Sequence, residues 1–182
     1  MPVLNKLLTG GFKSELTSIL VNTFGTSDLL DLTVKNLPHP ASWGDAGTFY
    51  QPAGDGAFIT MTLNTTELQN SSQEFVAETI FHEVIHAYLD ANTPIKNALL
   101  QHHEMITSYV DCELAALKEI FPTLSSHDGL CIILGGMYDV QQYDTATFNS
   151  VLAVYALTSA DVVNTNSSYK TSGKGSSCST LL

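Results

Sequence analysis

The sequence predicts an α+β fold in which a small, mostly antiparallel sheet of about three strands packs on a helical bundle. Segments with the alternation and the β-branched residues of strands lie before Asn64, whereas helical periodicity dominates after it. Apolar residues make up 44% of the 182 residues and charged residues only 14%, so the chain has enough apolar material for a buried core.

Three strands are predicted in the first part of the chain, after a short N-terminal helix over residues 12–24. The first covers residues 30–37, alternates between apolar and polar positions, and ends at Pro38-His39-Pro40. Residues 47–51 and 57–63 flank the turn sequence AGDG and are expected to form a hairpin.

The helical part begins with Ser71-Ser72-Gln73-Glu74, which has the form of a capping box with Ser71 at the N-cap and Glu74 three positions later. This pattern predicts a long helix that ends near Asp90. Further helices are expected over residues 95–121, around the apolar sequence LCIIL, and over residues 145–157. The polar remainder, residues 164–182, is expected to be a flexible tail behind a single domain formed by residues 1–163.

One motif in the long predicted helix carries the chemistry: His82-Glu83-Val84-Ile85-His86, with the pattern H-E-x-x-H. Residues four apart lie on one helical face, so the two imidazoles can bind one Zn²⁺ through nitrogen. Glu83 lies near the same edge, where its carboxylate can take a proton from the water that the metal activates. Because the rest of this helix is apolar nearly all round, these three side chains would be costly there without a metal. The motif therefore predicts a catalytic zinc site with Glu83 as general base.

A catalytic zinc needs a third protein ligand, and the next predicted helix offers three candidates in His102-His103-Glu104. Successive helical residues turn by about 100°, so only one of the three can face the metal. His102 shares its face with Met105 and Tyr109, which are apolar or aromatic. This periodicity favours His102 as the third ligand and leaves His103 and Glu104 as alternatives.

The charge balance excludes some classes of partner. Seven basic residues, none of them arginine, stand against eighteen carboxylates, and the formal net charge is −11. Nucleic acid and anionic membrane surfaces both attract basic residues, so neither is an expected partner. No apolar run reaches the roughly 18–20 residues that span a bilayer. Lys6 interrupts the short apolar stretch at the N-terminus, which makes it a poor signal peptide.

The cysteines and the composition of the tail indicate the cellular compartment in which the protein functions. Cys112, Cys131 and Cys178 are widely spaced and form no C-x-x-C pair, which predicts neither a disulfide framework nor a cysteine-ligated metal. The absence of arginine and the Ser/Thr/Asn-rich tail favour an extracellular or exported protein, or a domain of a larger one.

The motif from His82 to His86 resembles that of the zincin superfamily of metallopeptidases. The wider stretch from Ser72 to Leu89, followed by His102, Met105 and Tyr109, looks like the SprT-like group. It also looks like the metallopeptidase domains at the C-termini of large bacterial secreted or toxin-like proteins. The chain lacks the longer spacing of metzincins and the zinc ribbon that often follows SprT-like cores.

The resemblance covers roughly residues 57–110 and implies a zincin-like fold, bound Zn²⁺ and a polypeptide substrate. Zincins place a strand beside the active-site helix and bind extended substrate along its edge, and residues 57–63 are the candidate strand. A hydrogen-bond donor for the oxyanion, or a group that orients an imidazole, would complete the site. The candidates for these secondary roles are Tyr109, Tyr138, His127 and Asp90.

The sequence thus predicts a zinc-dependent metallopeptidase that hydrolyses peptide bonds. Two alternatives remain open. One is a non-catalytic metal-binding module that recognises a partner protein. The other is an exported proteolytic effector or toxin domain, which would have an inhibitor or immunity protein as a partner.

Overall fold

The computed structural model describes residues 14–20, 23–24, 30–39 and 44–177. These residues form an α+β fold in which a three-stranded mixed sheet packs against a helical bundle. The predicted fold class, a small sheet on a bundle with the motif helix at its centre, is confirmed. Of the predicted N-terminal helix, the structure describes α1 at Glu15–Leu20, and the residues before Ser14 lie outside the described part.

The sheet has the order β1-β3-β2, with β1 at Leu30–Leu37, β2 at Ala46–Ala53 and β3 at Gly56–Asn64. β2 and β3 form the predicted antiparallel hairpin, and Gly54 in its turn has a φ of +59°, which glycine adopts without a Cβ clash. β1 runs parallel to β3, so the expectation of a mostly antiparallel sheet holds for only one of the two strand pairs. The alternation of β1 determines its buried face but not its neighbour or direction.

β3 is the central strand, and this changes which strand has a free edge. Its alternation buries one face, formed by Ala57, Ile59, Met61 and Leu63. Both sides of β3 pair with described strands, so the expectation that residues 57–63 offer an edge to substrate is wrong. The strand that lies at an edge of the sheet and packs against the motif helix is β2.

The motif helix, α3 at Gln73–Asn92, is buried along nearly its whole length. Its N-cap is Ser72 rather than Ser71, because the Ser72 hydroxyl oxygen accepts from the Phe75 N–H at 3.1 Å. Glu74 does not close a capping box. Its carboxylate instead accepts from the backbone N–H and the hydroxyl of Ser176, each at 2.8 Å. The Gln73 N–H, in the first turn of α3, donates to the Ser176 carbonyl at 2.8 Å, so the C-terminal segment provides part of the capping of α3.

The remaining helices surround α3. Their bounds are α2 Thr65–Leu68, α4 Ala98–Ser108, α5 Val110–Ile120, α6 Ser126–Gly136, α7 Val140–Tyr143, α8 Thr145–Val154 and α9 Ser159–Lys170. The single helix predicted over residues 95–121 is two helices, α4 and α5, that meet at Tyr109, where φ is −118° and ψ is −8°. No proline or glycine marks this break in the sequence.

Helix α9 extends the folded part beyond residue 163, which corrects the predicted start of a flexible tail at residue 164. Val162, Thr165 and Tyr169 recur at helical spacing and are buried, although the segment is rich in serine and asparagine. The Ser72 N–H donates to the Tyr169 carbonyl at 2.9 Å, so α9 is joined to the start of α3. Residues 178–182, including Cys178, lie outside the described part.

Among the described residues, no single helix is long and apolar enough to cross a membrane. Helices α8 and α9 reach that length and hydropathy only as a pair, and they are bent by 81° relative to each other.

Candidate metal centre

Three histidines from two helices meet in one cluster that could hold a metal ion. His82 and His86 lie one turn apart on α3, and His102 comes from α4. The Nε2 atoms of the three rings lie 3.1 Å (His82 to His86), 3.1 Å (His82 to His102) and 3.0 Å (His86 to His102) apart. The two ligands predicted from the motif and the favoured third ligand are therefore brought together.

This triangle has the size of a metal site. The corners of a triangle with sides of 3.0–3.1 Å lie about 1.8 Å from its centre, which is close to the about 2.0–2.1 Å of a bond between zinc and an imidazole nitrogen. The three rings would supply three of the four ligands that zinc commonly takes. The donor set thus fits a metal that binds three imidazoles.

The hydrogen bonds behind two of the rings determine where their lone pairs point. His102 Nδ1 lies 2.8 and 2.9 Å from the two carboxylate oxygens of Asp139, and a carboxylate accepts, so this nitrogen donates. The Gln101 amide nitrogen donates to Asp90 and to the Ile95 carbonyl, which leaves its oxygen to accept from His86 Nδ1 at 2.6 Å. The Nε2 atoms of His86 and His102 therefore present lone pairs to each other, an arrangement that a cation stabilises.

Burial keeps the α3 histidines neutral. Desolvation, aided by the neighbouring imidazoles, lowers the pKa of His82 well below its ordinary range. Desolvation also lowers the pKa of His86 to about 4, although the hydrogen bond that His86 donates to Gln101 opposes the shift. Neutral imidazole is the form that binds metal, so both rings are ready to act as ligands at neutral pH.

Glu83 lies beside the cluster and is held by the sheet. The Thr48 hydroxyl, on edge strand β2, donates to the Glu83 carboxylate at 2.7 Å and lies 3.2 Å from the Glu83 carbonyl oxygen. Burial raises the pKa of Glu83 to about 7, while the Thr48 hydrogen bond and His102 lower it. A carboxyl with a pKa near neutrality can both accept and return a proton, which is the property a general base needs.

The histidine cluster and Glu83 line a cleft of about 520 Å³. Gly47 and Thr48 on β2 form one part of its wall, and Asp90, Lys96 and Gln101 form another. The site is thus open to a ligand, and an edge strand borders it.

The two alternative third ligands lie elsewhere. His103 Nε2 is 3.1 Å from the Asp144 carboxylate, and its half-exposed side chain points away from the cluster. The Glu104 carboxylate accepts from the Ser108 hydroxyl at 3.1 Å on the outside of α4. The 100° turn between neighbouring helical residues separates these side chains from His102.

Of the four candidates for secondary roles, the structure brings Asp90 to the cleft, where it accepts from the Gln101 amide at 2.8 Å. The other three lie outside the cleft. Tyr109 packs edge-on against Tyr88, and Tyr138 packs edge-on against Phe148. His127 is half exposed and lies 3.3 Å from Asp128.

Sequence reasoning missed three residues that hold the site: Thr48, Gln101 and Asp139. No motif marks them, because each reaches its partner through the tertiary fold. Asp139 lies 37 positions from His102, and Thr48 lies 35 positions from Glu83. Only Gln101, next to His102 on an inward-facing part of α4, had a signal: it is a polar residue at an apolar position of the helix.

Two further buried carboxyl groups lie close to the centre. Burial and the carboxylates of Glu113, Asp45 and Glu83 raise the pKa of Glu78 well above its ordinary range. Glu113 on α5 is fully buried, and burial raises its pKa to about 8. Neither of its carboxylate oxygens has a hydrogen-bond partner among the described residues.

Comparison of the chain with protein-family models, with curated proteins and with solved structures finds no match.

Proposed function

We propose that this chain is a zinc-dependent peptidase that hydrolyses polypeptide substrates. One observation carries the proposal: a buried carboxyl with a pKa of about 7, Glu83, stands beside three imidazoles whose Nε2 atoms converge in an open cleft. A site that only stores or structures a metal has no need of a proton acceptor of this kind. The resemblance of the motif to zincins supports the same reaction class.

When bound, Zn²⁺ would polarise the scissile carbonyl and make the attacking water more acidic. His82, His86 and His102 would hold the ion, and Asp139 and Gln101 keep two of these rings in orientation.

Glu83 is the general base. Its carboxylate takes a proton from the attacking water and returns it to the amine that leaves. The Thr48 hydroxyl fixes the carboxylate and lowers its pKa, so that more of the ionised form is present at neutral pH.

The substrate would lie along β2. One side of β2 pairs with β3, and the strand borders the cleft at Gly47 and Thr48. An extended peptide that adds to the outer edge of this strand passes over the histidine cluster.

The zinc-loaded chain is incubated with a random peptide library, and new termini are identified by mass spectrometry. Wild type is expected to cleave, and Glu83→Gln is expected to keep its zinc and lose about 10²- to 10⁴-fold in rate. An active Glu83→Gln variant would contradict the role of Glu83. A fully zinc-loaded wild type that cleaves no peptide would contradict the peptidase proposal and favour a metal-binding module.

A further inference from the structure

The metal cleft continues into a recess that is lined by acceptor oxygens without donors. Asp45, Glu78 and Asn166 all line the cleft that holds the histidine cluster. One side-chain oxygen of each residue, Oδ1, Oε1 and Oδ1 respectively, is buried and has no hydrogen-bond partner among the described residues. Glu78 is itself only 3% exposed. Buried polar atoms without partners are rare and costly in folded proteins. A ligand with hydrogen-bond donors would remove this cost in the recess.

Gly136 of α6 keeps this recess open beside Glu78. A Cβ at Gly136 would lie 2.9 Å from Glu78 Oε1 and 3.2 Å from His82 Nδ1, so its absence leaves space within hydrogen-bond distance of that oxygen. At Gly135, by contrast, α6 packs directly on Asn166, because a Cβ there would lie only 2.3 Å from Asn166 Cγ.

The donors among the described residues do not fill this need. The Lys170 ammonium binds the other oxygen of Asp45, Oδ2, at 2.8 Å. His82 Nδ1, which also has no hydrogen-bond partner among the described residues, is 4.0 Å from Glu78 Oε1 and so beyond hydrogen-bond distance. Within the described part of the chain, no lysine forms a salt bridge with Glu78.

We propose that this recess is a specificity subsite that binds the cationic end of a lysine or arginine side chain of the substrate. The proposal rests on the peptidase function proposed above. An ammonium or a guanidinium carries only donors, and two of the three unpartnered acceptors belong to carboxyl groups. A neutral donor would also satisfy the hydrogen bonds, but only a cation beside Glu78 would offset the burial and the neighbouring carboxylates that raise the pKa of this group.

The test measures binding without turnover, so that it does not depend on catalysis. The zinc-loaded Glu83→Gln chain is titrated with N-acetyl-lysine-N-methylamide, with its arginine counterpart, and with the norleucine counterpart, which has the aliphatic chain but no ammonium. Binding is followed by NMR chemical shifts. At least one basic compound is expected to bind about tenfold or more tightly than the norleucine compound. The lysine and arginine arms show which cation fits.

Variants test which residues produce the preference for a basic compound over the norleucine compound. Glu78→Gln keeps the shape of the side chain and removes its charge, and we expect the preference to fall to about threefold or less. Glu104→Gln makes the same change on the outside of α4 and should retain the full preference. Asn166→Leu, which removes an acceptor from α9, repeats the test if Glu78→Gln does not fold.

Equal binding of the norleucine and basic compounds would overturn the proposal, as would a preference that survives both Glu78→Gln and Asn166→Leu. The peptide-library digest separates this result from the peptidase proposal. Cleavage without any preference for a basic residue would leave the peptidase function standing and remove the subsite. Selective binding of the basic compounds without any cleavage would leave the subsite and remove the peptidase function.

Discussion

The Asp139 carboxylate lies 2.8 Å from Nδ1 of His102 and orients this ring in the histidine cluster, to which the adjacent His103 does not belong. His103 also has a carboxylate partner, Asp144 at 3.1 Å, but its ring lies outside the cluster. Asp139 lies between α6 and α7, and the end of α6 lines the cleft at Gly135 and Gly136. Asp139 therefore connects this wall of the cleft to His102 on α4.

Removal of the Asp139 charge should weaken metal binding. A carboxylate behind a ligating imidazole fixes the ring and strengthens its lone pair, so Asp139→Asn is expected to lower zinc affinity about 10-fold. Competition with a chromogenic chelator measures the affinity. The matched control is Asp144→Asn, which alters the partner of His103 and should leave the affinity at the wild-type value. Equal losses in the two variants would contradict the role given to Asp139.

The Thr48 hydroxyl should tune the pKa of Glu83, the proposed general base. It donates to Glu83 and lowers the pKa of that carboxyl, so Thr48→Val should raise this pKa above its present value of about 7. Because the base acts in its ionised form, the acid limb of the kcat/KM profile should move to higher pH, with a loss of about 3- to 10-fold at pH 6.5. Thr48→Ser retains the hydroxyl and should restore the profile. An unchanged acid limb in Thr48→Val would show that the hydroxyl does not act on Glu83.

Buried Glu113 should make stability depend on pH. Its pKa is raised from 4.5 to about 8, so between these values the folded chain holds a proton that the unfolded chain releases. The free energy of unfolding contributed by this group therefore falls as pH rises through this window.

Glu113→Gln stays neutral and should remove that loss, with a stability gain over wild type of about 1–3 kcal/mol at pH 8 that shrinks towards pH 5. Urea unfolding of the zinc-free protein at several pH values measures it. Glu104→Gln, at a carboxylate on the outside of α4, should give a difference near zero throughout. A Glu113→Gln difference that does not vary between pH 5 and pH 8 would refute this assignment.

Local patterns predict the secondary-structure elements and the three histidines of the candidate metal site. The three strands lie close to where alternation and turn residues put them, and His82, His86 and His102 meet because helical spacing determines which residues share a face. What local patterns could not predict is what depends on tertiary neighbours. No local pattern in the sequence shows that β1 pairs in parallel with β3 or that β3 is the central strand. The helix break at Tyr109 likewise has no proline or turn residue to mark it.

The same limit applies to the site. Three polar residues hold the side chains of the site through tertiary contacts: Thr48 contacts Glu83, Gln101 contacts His86 and Asp139 contacts His102. In the sequence, nothing in their type or spacing distinguishes them from other polar residues. Composition predicts a tail from residue 164 onward because it hides the narrow buried face of α9 at Val162, Thr165 and Tyr169.

The most direct test of the account is the zinc content and zinc affinity of the purified chain compared with those of His102→Ala, His103→Ala and Glu104→Ala. We expect one zinc per wild-type chain, and a loss of affinity in His102→Ala that exceeds the roughly 10- to 100-fold effect of losing a partner behind a ligand. The other two variants should bind zinc as wild type does. A wild type that binds no metal, or a His103→Ala variant that loses as much affinity as His102→Ala, would contradict the three-histidine centre.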